Sequence, residues 1–274
     1  MKKIIFLVLL ISLSNLTSQS SIDCNSNLSI FAEYYKVKNY EAAYEPWMSV
    51  RKECPKINPA IYFQGSRMLD EFIKKSEGET KNAYQKDLLK LYDEWLIYFP
   101  AYNGRSIIGQ IMSNKAQKMI DYKLASKSEI YALFEDAYQT DPLSFDDPKP
   151  LYSYFKTYFE LYKDGENDIT LNQIFNKYEE LSERYNSIID EYSKQIDIII
   201  NKENSGIALT SREKRNKRVY EINSNASNIY LRNLNAIIAK ESTCENLIPL
   251  YRKNLEENKT NPVWLNRAAS RMDS

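Results

Sequence analysis

The chain has 274 residues, with 37 basic side chains balanced by 37 acidic ones and no histidine. That balance offers no concentrated positive surface to nucleic acid, and the lack of imidazole excludes Ser–His and Cys–His nucleophile pairs and paired-histidine zinc sites. With only six glycines, and Lys, Glu, Asn, Leu, Ile and Tyr abundant, the composition favours helices over tightly turned sheets.

Residues 1–20 read as a secretory signal peptide. Lys2 and Lys3 precede the apolar run from Ile4 to Ile11, and the small-residue stretch SLSNLTSQSS follows. The run is far short of the ~20 residues that cross a bilayer, so no integral span is expected after cleavage. Asp23 stands where a lipoprotein signal would need a small residue before Cys24, which argues against a lipid anchor. The remainder of the chain is slightly acidic.

Four stretches fit the capping box, in which two side chains satisfy orphan amides at a helix start: Ser126 with Glu129, Thr170 with Gln173, Thr210 with Glu213, and Ser242 with Glu245. Each precedes a stretch of helical periodicity. The expected fold class is all-α.

Residues 24–57 form a block of 34 residues. Counting from Cys24, Tyr34 takes the eleventh position, Ala43 the twentieth, Trp47 the twenty-fourth and Pro55 the thirty-second. A second block follows Pro55, with Gly65 at its eighth position and Tyr92, Trp95 and Pro100 in its second half. An insertion, KSEGETKNAYQ, separates the two halves. Ala116 to Lys123 and EIYALFEDAYQTDP (129–142) form a third, with Phe134, Ala137 and Pro142 at equivalent places. Together these resemble tetratricopeptide repeats, whose helical hairpins stack into an α-solenoid. Phe31, Val50 and Pro46 depart from the family pattern, and Pro46 is expected to kink its helix.

The resemblance spans about 24–142 and 242–274, and its style is similar to tetratricopeptide proteins exported by Bacteroidota. It implies a TPR-like region over 21–145 that acts as a non-enzymatic scaffold, binding a protein or peptide in a concave groove. It implies a location in the periplasm or on the outer surface of a bacterial cell envelope, and no cofactor. On this register the groove-facing positions are Asn25, Ala32, Tyr35 and Lys36 in the first repeat. In the second they are Tyr62, Ser66 and Asp70, and in the third Lys115, Met119 and Tyr122. Cys24 and Cys54 would close the two ends of the first hairpin, so an exported protein is expected to join them in a disulfide.

Residues 146–240 have a different character. Apolar or aromatic side chains fall at 171, 174, 178, 181, 185, 188, 192 and 199, interrupted at Gln195, as in a coiled-coil seam on one long helix. A second long helix opens at Thr210, with an expected seam of Val219, Ile222, Ala226, Ile229, Asn233 and Ala236 or Ile237. The pair is expected to fold back as an antiparallel hairpin over about 170–239, either projecting to bind a partner or packed along the repeats. The basic run SREKRNKR (211–218) reads as the solvated start of this helix.

Residues 241–274 read as the start of a further TPR-like repeat, in which 246–272 resembles a second helix running into the first helix of the repeat after it, with Trp264 and Ala268 at that following repeat's fourth and eighth positions. Cys244 is left without a partner, and Val263, Trp264 and Leu265 have nothing following to cover them, so the chain reads as cut short there. A rival function stays open: a carbohydrate-handling helical-repeat protein, or an envelope hydrolase working through carboxylates. Acid pairs such as Asp146 with Asp147 and Glu179 with Glu180 would be its raw material, although on a helical protein they read first as solvated surface.

Overall fold

The computed structural model describes residues 23–260 apart from Asn167, together with positions 262, 265, 266, 268 and 269. The expected leader over 1–20, and Val263 and Trp264, lie outside the described residues. The architecture is helical, with ten α-helices and one two-stranded hairpin among the described residues. The chain divides into two compact units between Met68 and Leu69.

The first unit contains α1 (Cys24–Lys36), α2 (Tyr40–Glu53) and the start of α3 (Ala60–Lys75). The Asp23 carboxylate accepts hydrogen bonds from the amides of Asn25 and Ser26 at the start of α1, and the Asn39 side chain caps α2. These satisfy amides that a helix start leaves orphaned. α1 and α2 pack as a hairpin around Phe31, Ala43, Trp47 and Val50, all fully buried. Cys24 and Cys54 are joined by a disulfide with Cα atoms 6.2 Å apart, as the hairpin register requires.

Trp47 fixes the next turn of the chain. Its indole N–H donates to the Ile61 carbonyl at 2.7 Å, and the Arg51 guanidinium lies over its ring, 5.0 Å from the centroid. A Cβ added at Gly65 would come within 2.6 Å of the indole nitrogen. Gly65 is therefore what lets α3 approach the ring. Pro46 does not interrupt α2, which continues unbroken to Glu53.

The second unit holds α4 (Gly78–Tyr98), α5 (Ile108–Tyr122), α6 (Lys127–Thr140), α7 (Pro148–Asp164), α8 (Leu171–Asn204), α9 (Ser211–Ile238) and α10 (Cys244–Asn258). The expected insertion is no loop. Most of KSEGETKNAYQ forms the first turns of α4, where Tyr84 stacks on Phe72 of α3 with centroids 5.2 Å apart. Between α4 and α5 the chain makes a short hairpin of β1 (Ala101–Tyr102) and β2 (Arg105–Ser106). Asn103 and Gly104 turn it with φ of 50° and 74°, the left-handed pair that a two-residue hairpin prefers.

α5 packs on α6, α6 on α7, and α7 on α5, α8 and α9. The core between them is aromatic. Phe134, Phe145, Tyr154 and Phe155 are fully buried, and the Phe134 and Phe145 rings stack 5.9 Å apart.

The long hairpin forms as expected, with α8 and α9 packed together. Ile174, Leu181, Tyr185, Ile188 and Ile199 of the α8 seam are buried, joined by Phe175. Ile196, half-buried, takes the place that Gln195 vacates by facing solvent. The α9 seam differs from expectation. Its buried positions are Ser227, Leu234 and Ile238, whereas Val219, Ile222 and Ile229 are 45%, 56% and 40% exposed. The cause lies at the base. Leu234 and Ile238 join the core cluster, and Tyr230 packs on Tyr152 of α7 at 5.5 Å. Extending that face at 3.6 residues per turn brings Tyr220 and Asn223 inward, against Tyr192, and turns the aliphatic residues out.

Three of the four capping boxes form, at Ser126, Thr170 and Thr210. The fourth does not form, and the helix start falls one residue later. Ser242 is still tied to the end of α9 through the Ile238 carbonyl, so Thr243 caps α10 instead.

Candidate functional site

The site is assembled at the end of α5. Lys123 ends that helix in the left-handed conformation, φ 57°, and the Leu124 amide bonds back to the Met119 carbonyl at 2.9 Å. The chain then turns straight into the Ser126 cap of α6. α7 lies against both helices, started by Pro148 and Pro150, whose missing N–H groups cost nothing in a first turn. Between α5, the start of α6, α7 and Tyr230 of α9 runs a groove of about 570 Å³.

Its floor is apolar, from Met119, Ile120, Ile130, Tyr152 and Tyr230. Its walls carry Lys123, Lys127, Lys149 and Lys156 against Asp121 and Glu160, leaving an excess of positive charge. Lys149 pairs with Asp121 at 2.8 Å, Lys127 with Asp164 at 2.5 Å, and Lys156 with Glu160 at 3.7 Å. The hydrogen bond to Asp164 raises the Lys127 pKa above the ordinary lysine value. Lys123 is in no ion pair among the described residues. Such a lining offers apolar surface to bury and ammonium groups to pair with acids.

The residues singled out from the sequence separate into three groups. Met119 lines the groove. Asp70, Lys115 and Tyr122 lie beside it in a polar network: the Lys118 ammonium and the Tyr122 hydroxyl both donate to the Asp70 carboxylate, the latter at 2.7 Å. Lys115 bonds Asp93 of α4 at 2.5 Å. Burial first, then the bond to Asp70, pushes the Tyr122 phenol well above its usual pKa. Asp70 and Tyr122 are thus committed to each other, and Lys115 to Asp93.

In the first unit, Asn25, Ala32 and Lys36 are exposed on α1, and Tyr35 lies half-buried between Phe31 and Tyr40. Tyr62 and Ser66 are corrections. Tyr62 is fully buried with its hydroxyl on the Pro55 carbonyl at 2.9 Å. Ser66 is also buried and bonds the Phe63 carbonyl. Neither presents a surface to a partner.

The groove side of α7, with Lys149, Tyr152 and Lys156, was not read from the sequence, because the repeat pattern stops at Pro142. The signal was there in Asp147-Pro148 before an aromatic run of helical period, PLYSYFKTYFELY.

Two further clusters lie off the groove. Tyr131 and Tyr154 both donate to one Glu135 oxygen, at 2.6 and 2.5 Å, and Lys177 donates to the Tyr154 hydroxyl. Burial pushes Glu135 up, but the two tyrosine bonds and Lys177 outweigh it and bring the carboxyl below its usual range. The network is satisfied internally and serves the core.

The other is Asp146, which is not a solvated acid. Burial and the neighbouring Asp147 raise its pKa to about 6, with Arg184 pulling the other way. Asp147 itself accepts from Asn114 at 2.7 Å.

Among the described residues no helix is long and apolar enough to cross a membrane. Compared with known families, curated proteins and solved structures, the chain matches none.

Proposed function

We propose that this protein is a non-enzymatic, TPR-like helical-repeat scaffold of the cell envelope, and that it binds a protein or peptide segment in the groove of the second unit. The observation that carries the reading is the trough itself: an apolar floor centred on Met119, Tyr152 and Tyr230, walled by four lysines against two acids. The order α5 on α6 and α5 on α7 supports a repeat arrangement, in which one helix of each hairpin meets its counterpart in the next. Export to the periplasm or outer surface is supported by the Cys24–Cys54 disulfide, which a reducing cytosol would not sustain.

Site-specific photo-crosslinking in intact cells tests it. A crosslinker in place of Met119 should yield discrete adducts with another protein, and combined Lys123→Glu and Lys156→Glu should abolish them. A crosslinker at Leu143, 78% exposed and outside the groove, should give none. Equal adducts from both positions, or none from Met119, would contradict the groove.

A carboxylate enzyme is the second reading, favoured by one feature. Asp146, raised to about 6 beside Asp147, is the kind of carboxyl a general acid needs. It lies outside the groove lining, so the scaffold is the better account.

A further inference from the structure

The run SREKRNKR is put to two uses by α9. Glu213 and Lys217 face α8 and are paired there, with Lys202 at 2.6 Å and Glu203 at 2.9 Å. Lys214, Arg215 and Arg218 point the other way and are exposed, as is Arg232, six residues beyond Ala226. None of these four is in an ion pair among the described residues. Val219, Ile222, Ala226 and Ile229 follow in steps of three, four and three, with Arg215 one step of four ahead in the same line and Arg218 and Arg232 directly beside it. Val219, Ile222 and Ile229 are each 40% exposed or more.

That spacing is a coiled-coil seam, yet it lies on the side of α9 turned away from α8. The helix pair thus keeps a polar seam inward at Lys217, Asn223 and Ser227 and an apolar one outward. Hairpin stability alone would favour the reverse.

We propose that this outward face of α9 is the docking site for an acidic amphipathic helix of a partner protein, laid alongside as a third coiled-coil helix. The seam would receive the partner's apolar stripe, and the flanking cations would choose acidic flanks, as charges beside a seam set partner identity. A bilayer fits less well. Interfacial helices present a broad apolar face of about 100° or more with aromatic or leucine side chains, and this stripe is one seam wide and purely aliphatic. A second copy fits less well too. Its outward acids, Glu183, Asp190 and Asp197, lie on α8, so the contact would be head-to-tail and open-ended. The proposal does not depend on the groove, and the two are read by separate probes.

The test is titration of the full chain with a synthetic helical peptide of about four heptads, Leu in its seam and Glu on its flanks, beside a twin carrying Lys on the flanks. The Glu peptide should bind and the Lys peptide should not. Ile222→Asp should weaken binding by about tenfold or more. Combined Arg215→Glu and Arg218→Glu should lose the Glu peptide and gain the Lys peptide, a swap that a merely unfolded variant cannot show. Failure of the Glu peptide to bind, or indifference to both substitutions, would overturn the proposal. So would binding, instead, to vesicles of phosphatidylglycerol and phosphatidylcholine, or self-association in sedimentation, if Ile222→Asp abolished it.

Discussion

The two ends of the α8–α9 pair are built on different physics. At the base, Leu181, Tyr185, Leu234 and Ile238 are buried in the aromatic core, and the Tyr185 hydroxyl reaches the Pro148 carbonyl at 2.6 Å. Toward the turn, the helices are joined by Lys202–Glu213, Lys217–Glu203 and the Asn223–Tyr192 hydrogen bond, with Ile199 as a buried aliphatic contact. Packing stabilises the base, whereas exposed ion pairs contribute little and are screened by salt. The difference teaches that a helical hairpin's register is decided where its side chains are buried, and that the far end inherits it.

Breaking the base should give the largest effect. Leu234→Ala leaves a cavity in the core and should cost about 3 kcal/mol in denaturant unfolding, whereas Lys217→Ala should leave the global midpoint unchanged.

Next in size is the carboxyl near the base. Asp146 has a folded pKa of about 6, above its ordinary 3.8, so its protonated form is the one the fold favours. The contribution is fully present below about pH 4 and lost as pH rises through about 6. Asp146→Asn should therefore stabilise at pH 7, by on the order of 2 kcal/mol, with the gain vanishing at pH 4. An equal gain at both pH values would show that charge is not the cause.

Midway along α9, Ser227 is fully buried and its hydroxyl has no hydrogen-bond partner. Ser227→Ala should raise the melting midpoint by an amount equivalent to about 1 kcal/mol.

The smallest effect is at the turn. The bond from Lys202, followed by those from Thr210, lowers the Glu213 pKa to about 2. Its contribution is present above the unfolded pKa and lost as pH falls toward about 2. An NMR titration of the Glu213 side chain should show a midpoint well below the ordinary 4.5, and Glu213→Gln should remove it.

The sequence carried the elements better than their orientation. Helix starts at Ser126, Thr170 and Thr210 were legible because a capping box is local chemistry, complete within four residues. Trp47, Gly65 and the Cys24–Cys54 pair were legible as spacings. The α9 face was not. Val219, Ile222, Ala226 and Ile229 make the better seam by pattern, and only the core at Leu234 and Ile238 overrules it. The turn at Asn103-Gly104 carries a local hairpin signal that a helix-rich composition masks. Of the residues that the repeat register named, Met119 lines the groove. Tyr62 and Ser66 were lost to it because tyrosine and serine at helical spacing serve packing as readily as recognition. Lys149, Tyr152 and Lys156 could not be assigned until α7 was known to lie against α5.

Native-state hydrogen exchange along α9 tests this division most directly. Amides from Leu231 to Ile238 should exchange only through global unfolding, with full sensitivity to denaturant, while those from Arg215 to Ile222 should exchange faster through local opening that denaturant barely changes. Equal protection at both ends, or slower exchange near the turn, would contradict a hairpin held from its base.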